Sequence, residues 1–261
     1  IVLGILGVLM YQYNARQREF AAASQRLEDA IIKTEWADAR QQLDEARIKA
    51  GKDLSEQQRV DGLEMRLKTA IDNELTSVDK LSSEGEYQGA GVRLSRLPVD
   101  DKVNAARARI ASNEATSRRR AQDLADRVSE PLDKNDAKAA LAMITAAGLI
   151  AIEQAPAIEA VDRWRVAQLE LATASTARYG KRLVALALVR NSQPPQRMIG
   201  QFPLVESDLK RQEVRLREQL NSVKAVLDKG SLDAAAAEIE RFGLQVQVEG
   251  SPLAAELTTM Q

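Results

Sequence analysis

Cysteine and histidine are both absent from this 261-residue chain. Without Cys there is no disulfide framework, thiol nucleophile or zinc site of the usual kind. Without His the chain lacks the side chain that titrates nearest neutral pH, and with it the commonest general base. Aromatic residues make up only 3% of the chain, so few runs exist that could seed a sheet. Charge of one sign is also missing: 37 basic residues stand against 38 acidic ones, a net charge of −1. That balance gives no global field for holding a polyanion, which excludes nucleic acid as a main partner. No Gly-rich phosphate loop, nucleophile elbow or metal-spaced ligand set occurs. Glu64, Glu74 and Asp79 could pair as carboxylates, but they read as solvated helix surface beside Lys and Arg. The expectation is a non-enzyme with no catalytic, cofactor-binding or metal-binding residues and no small-molecule substrate.

What the chain does contain is helix formers. Ala, Leu, Arg, Glu, Gln and Lys recur throughout, with 44% hydrophobic and 29% charged residues, a composition that folds rather than stays disordered. The expected class is all-α. The first ten residues, Ile1 to Met10, are apolar without a break. At 1.5 Å per residue they reach about 15 Å, roughly half a bilayer core. Tyr11, Tyr13, Arg16 and Arg18 follow, the order of side chains a membrane–water interface selects. Residues 1–14 are therefore expected to be the C-terminal half of a transmembrane anchor. The alternatives are a buried core helix or the apolar part of a signal peptide, although Ala21 to Ala23 lie far downstream for a cleavage site. An Ala- and Arg-rich composition points to a bacterial inner membrane and a single-pass protein. Arg16 and Arg18 lean towards a cytoplasmic body, with sidedness otherwise open.

The body repeats itself. Trp36, Ala39, Leu43 and Ala46 share a spacing with Tyr87, Ala90, Leu94 and Leu97. Ala137, Ala140, Ile144 and Ala147 repeat it, and so do Leu232, Ala235, Ile239 and Phe242. Each set follows i, i+3, i+7, i+10, a stripe along one helix face. Each follows a short polar or Gly break: Thr34-Glu35, Gly85-Glu86, Asn135-Asp136 and Gly230-Ser231. The first members stand 51, 50 and 95 residues apart, and Ala185 and Val189 keep the spacing within a degenerate copy over residues 181–192. These segments resemble the second helix of a tetratricopeptide repeat, with Gly85-Glu86-Tyr87 and Ala90 the best match. The resemblance implies helical hairpins in which the small Ala lets two helices approach and the aromatic wedges against its neighbour. The period is near 50 residues rather than about 34, and the family's first-helix pattern is missing, so hairpins with longer first helices are expected.

The connecting stretches fit alternating long and short helices. Ser55-x-x-Gln58 reads as a capping box ahead of Leu63, Leu67 and Ile71. Asp100-Asp101 starts a long helix that Pro131 and residues 133–136 end, and Ser207-Asp208 starts another. Residues 15–190 are thus helical-hairpin repeats, 191–204 an irregular Pro-rich loop, and 205–261 a final hairpin with a short tail. The result is a stack of hairpins, solenoid-like or an irregular bundle, behind a transmembrane helix. Within the loop, Met198, Ile199 and Phe202 are either a partner-contact site or a fold-back onto the core. Leu244, Val246 and Val248 alternate with glutamines as a short strand would. Trp36, Tyr87 and Trp164 lie on apolar stripes and read as core. Ser117 to Arg120 is the densest basic run and fans around a helix rather than forming one patch.

These features point to a membrane-anchored scaffold or adaptor. Its partners would be the proteins of a membrane complex, the bilayer at residues 1–14 and, as an open alternative, further copies of itself. The competing expectation is a helical sensory or signal-transmitting domain of a membrane receptor. A coiled-coil spacer is disfavoured by the Gly and Pro punctuation.

Overall fold

The computed structural model describes residues 2–259; the side chains of residues 2–7 and of Leu9 lie outside the description, and so does most of the expected anchor. Every element among the described residues is helical, and none is a strand. The helices are α1 (Val2–Ile32), α2 (Trp36–Ala50), α3 (Leu54–Ser83), α4 (Tyr87–Arg96), α5 (Asp101–Asp133), α6 (Ala137–Ala146) and α7 (Ala151–Thr173). They continue with α8 (Tyr179–Asn191), α9 (Gln196–Ile199), α10 (Phe202–Leu227), α11 (Leu232–Phe242), α12 (Leu244–Val248) and α13 (Leu253–Thr258). No helix among the described residues is long and apolar enough to cross a membrane.

The chain forms two compact units that divide within α5, the first ending at Arg119 and the second starting at Arg120. The expected segments, 15–190, 191–204 and 205–261, set no boundary within this helix. Burial along α5 explains the difference. Val103, Ala106 and Ile110 belong to the core of the first unit, and Leu124, Val128 and Leu132 to a core of the second. Between Ile110 and Ala121 the helix buries only Ser117. A continuous helix conceals this boundary, because no Gly or Pro marks it.

Long and short helices pair. In the first unit α1 packs along α2, and α3 along α4; in the second, α7 packs along α8, and α10 along α11. The last part of α5 shares a core with α6. Four of the five turns have one geometry. Thr34, Gly85, Asn135 and Gly230 adopt left-handed φ values of 61°, 84°, 59° and 80°, each two residues before its short helix. The next amide then reaches back five residues: Glu35 to Ala30, Glu86 to Leu81, Asp136 to Pro131 and Ser231 to Val226. This is a Schellman-type closure, satisfying carbonyls that the ended helix leaves free. Only the turn between α7 and α8 departs from it.

Gly takes a left-handed φ without strain and Asn tolerates it, whereas a β-branched Thr does not. Thr34→Gly is therefore expected to stabilise the first unit by about 0.5–1 kcal/mol, because relief of strain of about 1–2 kcal/mol exceeds the entropic cost of Gly. Urea unfolding monitored at Trp36 measures it, and an unchanged or lower midpoint refutes the account.

Several local expectations are corrected. The cap of α3 is Asp53, whose Oδ1 accepts from the Ser55 and Glu56 amides at 2.9 and 3.2 Å; a carboxylate two residues before the expected capping box answers the helix N-terminus better. Of the expected end of α5, residues 133–136 hold and Pro131 does not: the helix continues to Asp133, with Val128 and Leu132 buried on either side of the proline. The segment 191–204 is largely helical: Pro195 precedes α9, and Pro203 sits in the first turn of α10, where its missing N–H costs nothing. The next long helix accordingly starts at Phe202, ahead of Ser207. Residues 244–248 form α12 rather than a strand, with Leu244 and Val248 buried one helical turn apart.

Candidate interaction surface and its polar joints

The stripe positions settle in two groups. Trp36, Ala39, Leu43, Ala90, Leu94, Ala137, Ala140, Ile144, Ala235 and Ile239 are buried, and Tyr87 is half-buried against the same core. Leu232 is 74% exposed. Its three counterparts begin short helices that a long helix follows: α2 also packs against α3, α6 against α7, and α4 shares its core with α5. The helix after α11 is α12, which at five residues extends about 7 Å against about 16 Å for α11. It turns at Gly243 in a left-handed conformation and touches only part of α11. The N-terminal end of that flank is left open, a feature that depends on the length of a later element and not on the stripe itself.

The open flank is a groove of about 740 Å³, with a floor of Leu227, Leu232, Ala235, Ala236, Ile239 and Val246. Asp233 and Glu240 stand on it, Gln245 completes the rim, and no Lys or Arg lines it. Leu232, Ala236 and Val246 are exposed while Ala235 and Ile239 are buried beneath. Among the described residues nineteen ion pairs are formed, and neither Asp233 nor Glu240 takes part in one.

The expected contact residues of the Pro-rich segment lie elsewhere. Met198 and Phe202 are buried in the core of the second unit, and only Ile199 keeps 39% exposure. Of the two expectations, fold-back describes Met198 and Phe202. The cause is a polar joint that hydrophobic patterning misses. The buried Arg165 donates through Nε to Ser192 Oγ at 3.1 Å and through Nη2 to the Ser192 and Gln193 carbonyls, and it pairs with Asp162 at 2.7 Å. Gln193 is thereby held at a positive φ of 52°. The Arg190 guanidinium lies 5.5 Å from the Phe202 ring centroid and pairs with Glu206.

A second joint sits at the head of α8. The Arg182 side chain is 2% exposed and donates to the Ala172 carbonyl at 2.9 Å, Gln212 Oε1 at 2.6 Å and Asp208 Oδ2 at 2.6 Å. Arg182, Ala185, Val189 and Ser192 are all buried at i, i+3, i+7, i+10. They form the same stripe as in the other short helices, led by an arginine where the others carry Trp, Tyr, Ala and Leu. The Arg182 guanidinium holds the Asp208 carboxyl below its usual range, first through the hydrogen bond and then through charge. Burial pushes Tyr179 beside it up to about 12, helped by Glu213.

Other residues singled out in the sequence resolve into packing and surface pairing. Glu64 pairs with Arg47, Glu74 with Arg93 at 3.4 Å and Asp79 with Arg109 at 3.0 Å. Trp164 packs half-buried against the α5–α7 core. Arg118 pairs with Glu114 along α5, while Arg120 lies 3.7 Å from the buried Glu153, whose carboxylate also accepts from the Ile150 amide. Arg16 donates to the Lys49 and Ala50 carbonyls at the end of α2, a helix-capping role within the body. Comparison with family models, curated proteins and solved structures finds no match to this chain.

Proposed function

We propose that this chain is a non-catalytic scaffold, fixed to a membrane through residues 1–14, that assembles proteins on helical hairpins of tetratricopeptide-like logic. The observation that carries the reading is the open flank of the last hairpin. In the earlier hairpins the first stripe residue is buried (Trp36, Ala137) or half-buried (Tyr87); here Leu232 faces solvent with Ala236 and Val246 in a formed groove. Exposed apolar side chains lining a concave surface mark a contact site more often than isolated surface leucines do.

The anchoring half rests on α1. Val8, Met10, Tyr11 and Tyr13 are exposed, and the body begins to bury α1 only from Phe20 onward. Of the apolar head, Val8 and Met10 are therefore uncovered by the protein, and α1 joins them to the first core in one helix. A lipid phase would satisfy that head, with the tyrosines at its edge.

The test is site-specific photo-crosslinking in cells, with benzoylphenylalanine at Leu232 or Val246 and, as controls, at the exposed Met65 or Val214. Groove positions are expected to give discrete heavier species in the membrane fraction, and controls none. Extraction should need detergent and resist high salt. A chain recovered alone and uncrosslinked from gently solubilised membranes would sink the scaffold reading; release by salt would sink the anchor.

A further inference from the structure

We infer that the groove over α11 receives an amphipathic helix bearing Lys or Arg beside its apolar stripe, supplied by another polypeptide. This deepens the scaffold reading and rests on it. Three observations specify the occupant. The first is shape. At the first stripe position Trp36 and Ala137 are buried and Tyr87 half-buried, whereas Leu232 is 74% exposed and opens with Ala236 and Val246 onto a groove floored by Ala235 and Ile239. Small alanines on the floor permit close approach, so a helix seats there more readily than an extended strand, which would find no sheet edge among the described residues.

The second observation is charge. Asp233 and Glu240 are exposed and unpaired among the described residues, they lie two turns apart on the groove side of α11, and no cation lines the groove. Lys229 and Arg241 are the nearest cations in sequence; neither is among the lining residues, and the Arg241 guanidinium lies over the Phe242 ring at 5.4 Å. An incoming helix with cations flanking its stripe satisfies both carboxylates, while an acidic one is repelled. The third is internal precedent. Where helices of this chain meet, opposite charges bridge the contact: Arg47 of α2 to Glu64 of α3, Lys102 of α5 to Asp72 of α3 at 2.7 Å, Arg109 of α5 to Asp79 of α3 at 3.0 Å. The α11 groove carries one half of such a set.

The probe is a pair of fluorescein-labelled 16-residue helical peptides, identical in a Leu stripe at i, i+3, i+7, i+10, one flanked by Lys and the other by Glu. Binding to the purified full chain is read by fluorescence anisotropy. The Lys peptide is expected to bind at least ten-fold tighter than the Glu peptide, and Leu232→Glu to abolish that binding. The double variant Asp233→Lys, Glu240→Lys is expected to invert the preference. Leu232 is exposed, so its variant should fold, which circular dichroism checks. Equal binding of both peptides, or binding that survives Leu232→Glu, overturns the inference while the scaffold reading stands on its crosslinks. Self-association of the chain, seen by sedimentation and lost in Leu232→Glu, assigns the groove to a second copy and overturns it too. If neither peptide binds and position 232 crosslinks nothing in membranes, both readings fall.

Discussion

Gly180→Ala is expected to destabilise the second unit by about 3 kcal/mol and to release its C-terminal tail. Gly180 lies at the start of α8, buried against the turn that follows α12. A Cβ at that position would lie 1.7 Å from the Glu249 carbonyl oxygen and 2.7 Å from its carbon. Both are backbone atoms, so no side-chain rotation relieves the clash. Either α8 or the 249–251 turn must move. That turn is tightly made: the Ser251 amide and hydroxyl both donate to the Val248 carbonyl, at 2.9 and 2.6 Å, and Gly250 holds a φ of +78°. Overpacking by one methyl typically costs about 1–3 kcal/mol. Loosening α12 and α13 also uncovers part of Leu244, Val248, Leu253 and Leu257, each buried and each worth about 1.5–3 kcal/mol when fully covered. Partial release of the tail places the sum near the upper end of the overpacking range.

The measurement is denaturant unfolding, together with limited proteolysis beyond Gly243, where cleavage should speed up in the variant. Gly62→Ala is the control. A Cβ at Gly62 would meet nothing within 4 Å, and the residue sits in the middle of α3, so Ala there is expected to stabilise by about 1 kcal/mol. A Gly180→Ala protein as stable as its parent would show that α8 and the tail do not approach as described. The groove has a stake in the outcome as well, because Gln245 and Val246 of α12 line it. A loosened tail should weaken crosslinking at Leu232 without any change in α11.

The all-helical class is legible from composition and period alone, and so are the short helices with an apolar stripe. A stripe is a local property, so Ala39, Leu43, Ala90, Leu94, Ala140 and Ile144 can be read without knowing what covers them. Hydrophobic patterning fails where the same geometry is built from polar residues. Arg182 and Ser192 occupy the first and last positions of a stripe whose middle is Ala185 and Val189, yet only the apolar pair registers in a periodicity count. Restoring them turns the gap of 95 residues into two steps of 45 and 50. The prolines mislead in another way. Pro195 and Pro203 read as helix breaks in the sequence, whereas both stand at helix starts, where proline is tolerated. The groove is beyond reach of the stripe, since Leu232 becomes a surface residue only through the shortness of α12. Five residues of alternating pattern such as 244–248 do not separate strand from helix.

Arg182→Leu carries the other large expected effect, about 2–4 kcal/mol lost, and it tests whether the polar stripe is a structural joint. The substitution keeps an apolar stem but removes donors from three acceptors on two helices, the Ala172 carbonyl at the end of α7 and the Asp208 and Gln212 side chains of α10. An orphaned buried acceptor costs about 1–3 kcal/mol. Asp208 is part-exposed and can turn to water, so the carbonyl and the amide dominate the loss. Arg182→Lys should fall between, since an ammonium keeps the charge but cannot reach three acceptors with one planar fork. The joint also predicts a pH dependence. The Arg182 guanidinium holds the Asp208 carboxyl below its usual range when folded, so the unfolded chain binds its proton first as pH drops. Stability from this pair is complete above about pH 4 and declines as pH falls through the lower folded value. Asp208→Asn should flatten that decline while leaving Arg182 with a neutral acceptor. Thermal unfolding followed from pH 6 to pH 2 separates the cases. Equal acid sensitivity in Asp208→Asn and the parent would place the acid-labile contact elsewhere. An Arg182→Leu protein of undiminished stability would show that the buried guanidinium is replaceable by packing, as some buried ion pairs are, and that α8 is held by its apolar stripe alone.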